Sequence, residues 1–291
     1  MQKSLFGLFA GLTAAAIWGG MYVVSKAVME VIPPFTLITM RLALGILTLL
    51  IVILLRGKWI VTARQFWQVF GVGLIGYGIS LGFQFVGTKM STAANGSLVT
   101  SATPAFVLLF AAILLREKIT LRRLAALIIA SLGVLAVIDP RTAQLSPSLF
   151  WGNLSLVAAA LTWALYSVLI RKVTQNIDVL STSLIAFVGG LAVSIPAGIW
   201  EVSTQGIGKI SWGIVGGILF LGIISTALAM YLWNMAFARL EAGIASLTFF
   251  AQPVVGTILG AIFLGDVITP YFLFGGLLIG IGLLISGTES K

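Results

Sequence analysis

The chain has 291 residues, 59% hydrophobic and 9% charged, with a mean hydropathy of +1.14; a soluble domain carries about 25% charged residues and could not cover its surface with so few. The formal charge of +9 sits in short loops between apolar runs, a membrane-topology signal and not a nucleic-acid surface. Cys and His are both absent, which excludes disulfides, thiol nucleophiles, Cys or His metal sites and histidine proton relays.

The apolar runs last about twenty residues and do not alternate, so they predict helices and not barrel strands. Ten spans follow in chain order: 5–28, 34–55, 66–87, 95–115, 121–138, 149–170, 181–200, 212–236, 243–264 and 270–287. The first is too long for a signal h-region and is expected to be retained. Pro33-Pro34 opens the second span, Thr120 and Thr269 are placed to cap the fifth and tenth, Pro270 suits a first helical position, and Ser146-Pro147 and Ser211 precede the sixth and eighth. With the N-terminus inside, 12 basic residues face the cytoplasm: Lys3, Arg56, Lys58, Arg64, Arg116, Lys118, Arg122, Arg123, Arg171, Lys172, Arg239 and Lys291. Only 4 lie outside, Lys26, Lys89, Arg141 and Lys209. The asymmetry predicts both termini in the cytoplasm. The expectation is an all-α polytopic protein of the plasma membrane, the inner membrane in a Gram-negative cell.

The chain repeats itself. At a constant offset of 149, Ala93, Ser97, Pro104, Ile119, Thr120 and Gly133 recur as Ala242, Ser246, Pro253, Ile268, Thr269 and Gly282, and Glu117 recurs as Asp266. At offset 145, Trp18 falls on Trp163 and Lys26 on Arg171. Residues 1–140 and 141–291 therefore read as two five-helix repeats. Five crossings are odd, so the second copy enters from the opposite side, and the halves are related by an axis in the membrane plane. That arrangement underlies alternating access.

Several short motifs lie along this frame: Trp18-Gly19-Gly20, Pro33-Pro34 and Arg41-Leu42-Ala43 in the first half, Tyr231-Leu232-Trp233-Asn234, Gln252-Pro253-Val254 and Leu264-Gly265-Asp266 in the second. In order and spacing the chain resembles the EamA family of the drug/metabolite transporter superfamily over nearly its whole length. The resemblance implies a 5+5 inverted fold, a central cavity, and export of amino acids or other small metabolites. Two positions depart from the family pattern: Asp266 stands where Glu is common, and Arg116 where Gly is common.

The candidate substrate contacts are Trp18, Tyr22, Arg41, Tyr77, Gln84, Asn95, Thr100, Ser101, Trp163, Tyr166, Tyr231 and Gln252, on spans 1, 2, 3, 4, 6, 8 and 9. Each has a plainer reading. Arg41, about seven residues into the second span, either snorkels to the headgroups or holds a substrate anion in the cavity. Ser97, Thr100, Ser101 and Pro104 share a helical face, with Ser246, Phe249, Phe250 and Pro253 as the mirror. They are packing surfaces or a pair of kinked helices at a midplane site. Trp18 and Trp163 are packed or lipid-facing rings, or paired gates, one toward each side of the midplane. Glycine clusters, Gly71 to Gly82 and Gly275 to Gly282, with the Gly256/Gly260 pair, indicate close helix packing first and hinges second.

All eight acidic residues, Glu30, Glu117, Asp139, Asp178, Glu201, Glu241, Asp266 and Glu289, fall at or beyond span ends. A coupled carrier keeps a carboxylate at the midplane, so solute is expected to move down its gradient or by exchange. A small-solute carrier leads over an uncoupled channel-like pore and a membrane-embedded lipid enzyme, which would need a nucleophile or acid–base pair. No enzyme activity, catalytic residue, cofactor, metal or nucleic-acid partner is expected. The partners are a small solute and the lipid bilayer, and monomer and homodimer both stay open.

Overall fold

The apolar runs become helices whose ends follow ordinary cap chemistry. The computed structural model describes residues 2–57, 61–91, 93–138, 147–264 and 270–287, with no strand among them. Helix α1 is Gln2–Met29. Helix α2, Pro34–Arg56, opens on a proline that forfeits only a donor the first turn leaves unbonded, and closes at Gly57 with φ 64°. Helix α3, Ala63–Met90, starts with a reciprocal cap between Thr62 and Gln65. Helix α4 comprises Ala93–Thr100 and Thr103–Leu115, separated by a turn at Ser101 and Ala102. Helix α5, Leu121–Ile138, has Thr120 Oγ1 accepting from Arg123 N at 3.2 Å. Helix α6, Phe150–Val173, follows a 3-10 turn over Pro147–Leu149. Helix α7, Val179–Gln205, is capped by Asp178, which accepts from Ser181 N at 3.0 Å. Helix α8, Trp212–Arg239, has Ser211 at its cap. Helix α9 runs Ala242–Leu247, a 3-10 turn at Thr248–Phe250, then Ala251–Leu264. Helix α10 is Pro270–Gly287. The expected caps Ser146 and Thr269, with Asp139 and Asp266, lie outside the described residues.

Among the described residues, α1, α2, α3, α6, α7, α8 and α9 are long and apolar enough to cross a membrane; the chain is a multi-pass membrane protein. The packing partners run in matched pairs. Helix α1 lies along α8 as α6 lies along α3, α4 rests on α6 as α9 rests on α1, and α2 meets α7 while α5 meets α10. Backbone irregularities match too. Leu74–Ser80 of α3 and Phe220–Leu228 of α8 are wound as π-helix, and α4 and α9 are interrupted just ahead of Pro104 and Pro253.

Glycines let the pairs approach closely. A Cβ on Gly73 would lie 2.0 Å from the Ala186 carbonyl oxygen, and one on Gly189 2.2 Å from that of Phe70, so α3 and α7 touch backbone to backbone. Gly133 and Gly275 do the same for α5 and α10. Gly71, Gly276 and Gly280 face open space.

One end of the bundle is tied by charge. Glu117, in the α4–α5 turn, accepts from Arg171 Nε at 2.8 Å and from the N–H groups of Ala242 at 3.0 Å and Gly243 at 3.3 Å, at the start of α9. Arg123 lies 3.8 Å from Glu117 and also bonds Glu241, while Arg171 donates to the carbonyls of Phe237 and Leu240. A carboxylate from the first half thus fastens the ends of α6 and α8 to the start of α9. Arg116 in the same turn has φ 56°, a left-handed conformation that costs a non-glycine residue about 1–2 kcal/mol. Arg239 lies over the Phe6 ring at 4.4 Å, and Gly282 abuts Ala126, so both ends of the described chain sit at this end.

Glu201 departs from the sequence reading. It lies inside α7, buried, and accepts from Thr36 N at 2.9 Å, capping α2 from a neighbouring helix. The helix continues past position 200 because Ser203 and Thr204 satisfy their hydroxyls on the Trp200 carbonyl. Glu30 is an exposed turn residue.

Two substitutions test this packing in detergent-solubilised protein by thermal melting. Gly73→Ala should cost about 1–3 kcal/mol, since two backbones must separate, whereas Gly71→Ala should leave the melting temperature unchanged or raise it. Glu117→Gln should cost on the order of 2 kcal/mol, between the limits for exposed and buried pairs.

Candidate functional site

Three tryptophans meet at the centre. Trp18 of α1 and Trp163 of α6 are edge to face at 5.8 Å, Trp18 and Trp233 of α8 are 5.3 Å apart, and Trp163 and Trp233 stack at 6.4 Å. Trp18 donates to the Ser225 carbonyl at 3.0 Å and Trp233 to Ser167 Oγ at 3.1 Å, which fixes both rings. The expected separation of Trp18 and Trp163 to opposite sides of the midplane is therefore corrected. Both stand near the middle of their helices, and α1 and α6 bring them together there.

Beside the rings is a cavity of about 30 Å³, room for one or two waters. Its walls come from α1 (Trp18, Met21), α3 (Ser80, Leu81, Gln84), α4 (Thr100, Thr103), α6 (Ala159, Ala160, Trp163), α8 (Met230) and α9 (Phe249, Gln252). These are the six helices that the two matched sets of packing pairs place inside. A small organic ligand needs several hundred Å³, more than this cavity offers.

Two polar clusters flank it. Thr100 Oγ1 donates to the Gly96 carbonyl at 2.7 Å, so the 3.0 Å bond between Thr100 and Tyr22 uses the tyrosine proton. The Tyr22 oxygen then only accepts, taking Gln84 Nε2 at 2.8 Å. In the second cluster Tyr166 donates to Asn234 Oδ1 at 2.8 Å, which makes Tyr77 the donor in their 2.5 Å bond. Asn234 Nδ2 donates to Ser183 Oγ at 2.9 Å. Helices α3, α6, α7 and α8 are joined by this chain of buried groups.

Arg41 does not snorkel. It is 0% exposed and its guanidinium points inward to the π-wound stretch of α8. Nε donates to Thr226 Oγ1 at 2.7 Å and Nη2 to Ser225 Oγ at 3.3 Å, the Met21 sulfur lies 3.8 Å from both terminal nitrogens, and the Phe85 ring centroid is 5.0 Å away. No carboxylate among the described residues pairs with it. Met21 also lines the cavity, so the cation stands directly behind the cavity wall.

Of the candidates, Trp18, Gln84, Thr100, Trp163 and Gln252 line the cavity, Tyr22, Tyr77 and Tyr166 form the flanking clusters, and Ser101 sits in the α4 break. Asn95 and Tyr231 lie elsewhere. Asn95 is in the first turn of α4 and bonds Ser91 and Asn153, tying helix ends together. Tyr231 is half-buried and outside the cavity, because the π-wound stretch before it shifts the phase of α8 and turns Met230, Trp233 and Asn234 inward. Sequence reasoning passed over Asn234, Thr103 and Met21. A lone Asn within an apolar span was the available signal for the first; an uncharged Met and a Thr carry none.

The chain is 28% identical over 270 residues to an uncharacterized transporter of Archaeoglobus fulgidus, covering 92% of this chain and 94% of that one. It is 26% identical to a probable amino-acid metabolite efflux pump of Salmonella typhimurium, with 96% and 93% covered. It is 24% identical to the aromatic amino acid exporter YddG of Ancylobacter novellus, with 86% and 85% covered. A crystal structure 20% identical in sequence superposes with a TM-score of 0.81 over 98% of both chains, a likeness of fold. The pattern of the EamA-like transporter family matches twice, over residues 5–138 and 150–288. With two matches spanning nearly all of its length, the chain belongs to the EamA-like transporter family.

Proposed function

We propose that this transporter exports amino acids or related amphipathic solutes by alternating access through the cavity at Trp18, Trp163 and Phe249. The carrying observation is that cavity: aromatic, central, and walled by three helices from each half. Two relatives bear names of amino-acid exporters or efflux pumps. In this reading Arg41 takes the substrate carboxylate once Met21 moves aside, exchanging a thioether contact for a charge-assisted one.

The matched packing pairs, the matched breaks and the double family match support two inverted five-helix repeats, 1–140 and 141–291, forming ten crossings. Both ends of the described chain share the charge-tied end, and the 12 to 4 basic asymmetry favours a cytoplasmic position for it, in the plasma membrane. The chain holds no cysteine, so single-cysteine labelling has no background. Lys209→Cys should react with a membrane-impermeant maleimide in intact cells, and Arg64→Cys only after permeabilisation; the reverse pattern would invert the topology.

No described acidic residue lines the cavity: Glu117 and Glu241 are in the charge network, Glu201 caps α2, and Glu30 is exposed. Movement down a gradient or exchange is therefore favoured over obligatory proton coupling. In proteoliposomes, labelled phenylalanine should show saturable counterflow that Trp163→Ala lowers by about tenfold or more. An imposed pH or sodium gradient should not drive accumulation. Uphill accumulation that an ionophore collapses would refute the uncoupled mechanism, and absence of counterflow with all amino acids would refute the substrate class.

A further inference from the structure

We infer that Gln252 Oε1 and Thr103 Oγ1 form an acceptor site for a protonated amino group, so that the solute carried by this protein is an amine-bearing one. The inference rests on the reading of the central cavity as the solute path. Both side chains are buried, Gln252 3% exposed and Thr103 1%, and both line the cavity. Neither oxygen has a hydrogen-bond partner among the described residues. Of the buried polar side-chain atoms left without one, these two line the cavity, while those of Ser25, Ser194 and Ser286 do not. A buried unsatisfied oxygen costs about 1–3 kcal/mol, which a donor on a solute removes.

The two positions are equivalents. Each immediately precedes the shared proline of its half, Pro104 or Pro253, at the repeat offset of 149. Thr103 is orphaned for a local reason. A helical threonine usually returns its hydroxyl to the carbonyl one turn back, as Thr39, Thr48 and Thr162 do here. At Thr103 the residue one turn back is Val99, on the far side of the turn at Ser101 and Ala102, where the helical spacing that returns a hydroxyl is broken.

The orientation of the Gln252 amide follows from proton accounting. The Tyr22 proton is committed to Thr100, so the tyrosine oxygen can only accept, and Gln252 turns a side-chain hydrogen bond toward it. That requires the amide nitrogen on the Tyr22 side and leaves Oε1 to the cavity. Gln84 gives one of its two N–H hydrogens to the same oxygen. The wall presents the Gln252 Oε1 acceptor, the Thr103 hydroxyl, whose oxygen also accepts, and the π faces of Trp18, Trp163 and Phe249, an environment that attracts an ammonium.

The test uses the full chain in detergent and tryptophan fluorescence titrations with three probes of one shape: phenethylamine, L-phenylalanine and 3-phenylpropionate. The two amines should bind, and 3-phenylpropionate about tenfold or more weaker. Gln252→Met and Thr103→Val, which remove an acceptor at nearly constant volume, should each weaken phenethylamine by about tenfold, the scale of a hydrogen bond to a charged group. Gln252→Glu should hold it as tightly or tighter. The inference is overturned if wild type holds 3-phenylpropionate as tightly as phenethylamine, or if Gln252→Met leaves phenethylamine unchanged. Trp163→Ala separates the two levels of failure. If it weakens every probe while Gln252→Met weakens none, only the amine site falls. If it too changes nothing, or no probe binds wild type, the cavity reading falls with it.

Discussion

Lipid offers a polypeptide no hydrogen-bond partner, and that constraint orders the whole molecule. Every backbone amide must be satisfied within its own helix, so an interruption is tolerated only where protein surrounds it. Most of the interruptions here are placed accordingly. The breaks before Pro104 and Pro253 and the π-wound stretches of α3, α4 and α8 lie on helices that wall the central cavity, and the exception is Pro196, exposed within α7. The irregular backbone that would be ruinous against lipid lies on the helices that carry polar groups to the cavity.

The same constraint sorts the charges. At the end of the bundle Glu117 meets Arg171, Arg123 and two amide N–H groups, a set in which positive and negative partners are matched. At the centre Arg41 has only hydroxyls, a thioether and an aromatic face. Neutral acceptors solvate a guanidinium without cancelling its charge, so the region behind Met21 keeps a positive potential. The cavity itself is lined by Gln252, Thr103 and ring faces, which favour the other sign.

That the chain is an all-helical membrane protein was legible because its signal is one-dimensional: the length and composition of the apolar runs. Helix ends read well where a single side chain decides them, as at Thr120 and Ser211. Glu201 did not, because hydroxyls that extend a helix by a turn look like loop residues in a sequence. At the site, Trp18, Trp163, Thr100 and Gln252 stood out as polar or bulky residues at mid-span, and they line the cavity. Tyr231 was chosen and Asn234 missed because residue type does not say which face of α8 each takes; the π-wound stretch lies before both, and Asn234 turns inward while Tyr231 stays half-buried. Asn95 is polar and buried, but depth along the bundle cannot be read from residue type alone.

The π-wound stretches carry a consequence for movement. Each holds residues in excess of the α-helical count within a continuous rod. Converting one to α-helix, or sliding it along the rod, advances the residues beyond it around the axis by roughly 100° per residue, with no bond to lipid broken and no hinge opened. In α3 the part beyond carries Gln84; in α8 it carries Met230, Trp233 and Asn234. A screw motion of these two half-helices would swap the side chains that face the cavity while the outer helices stay still.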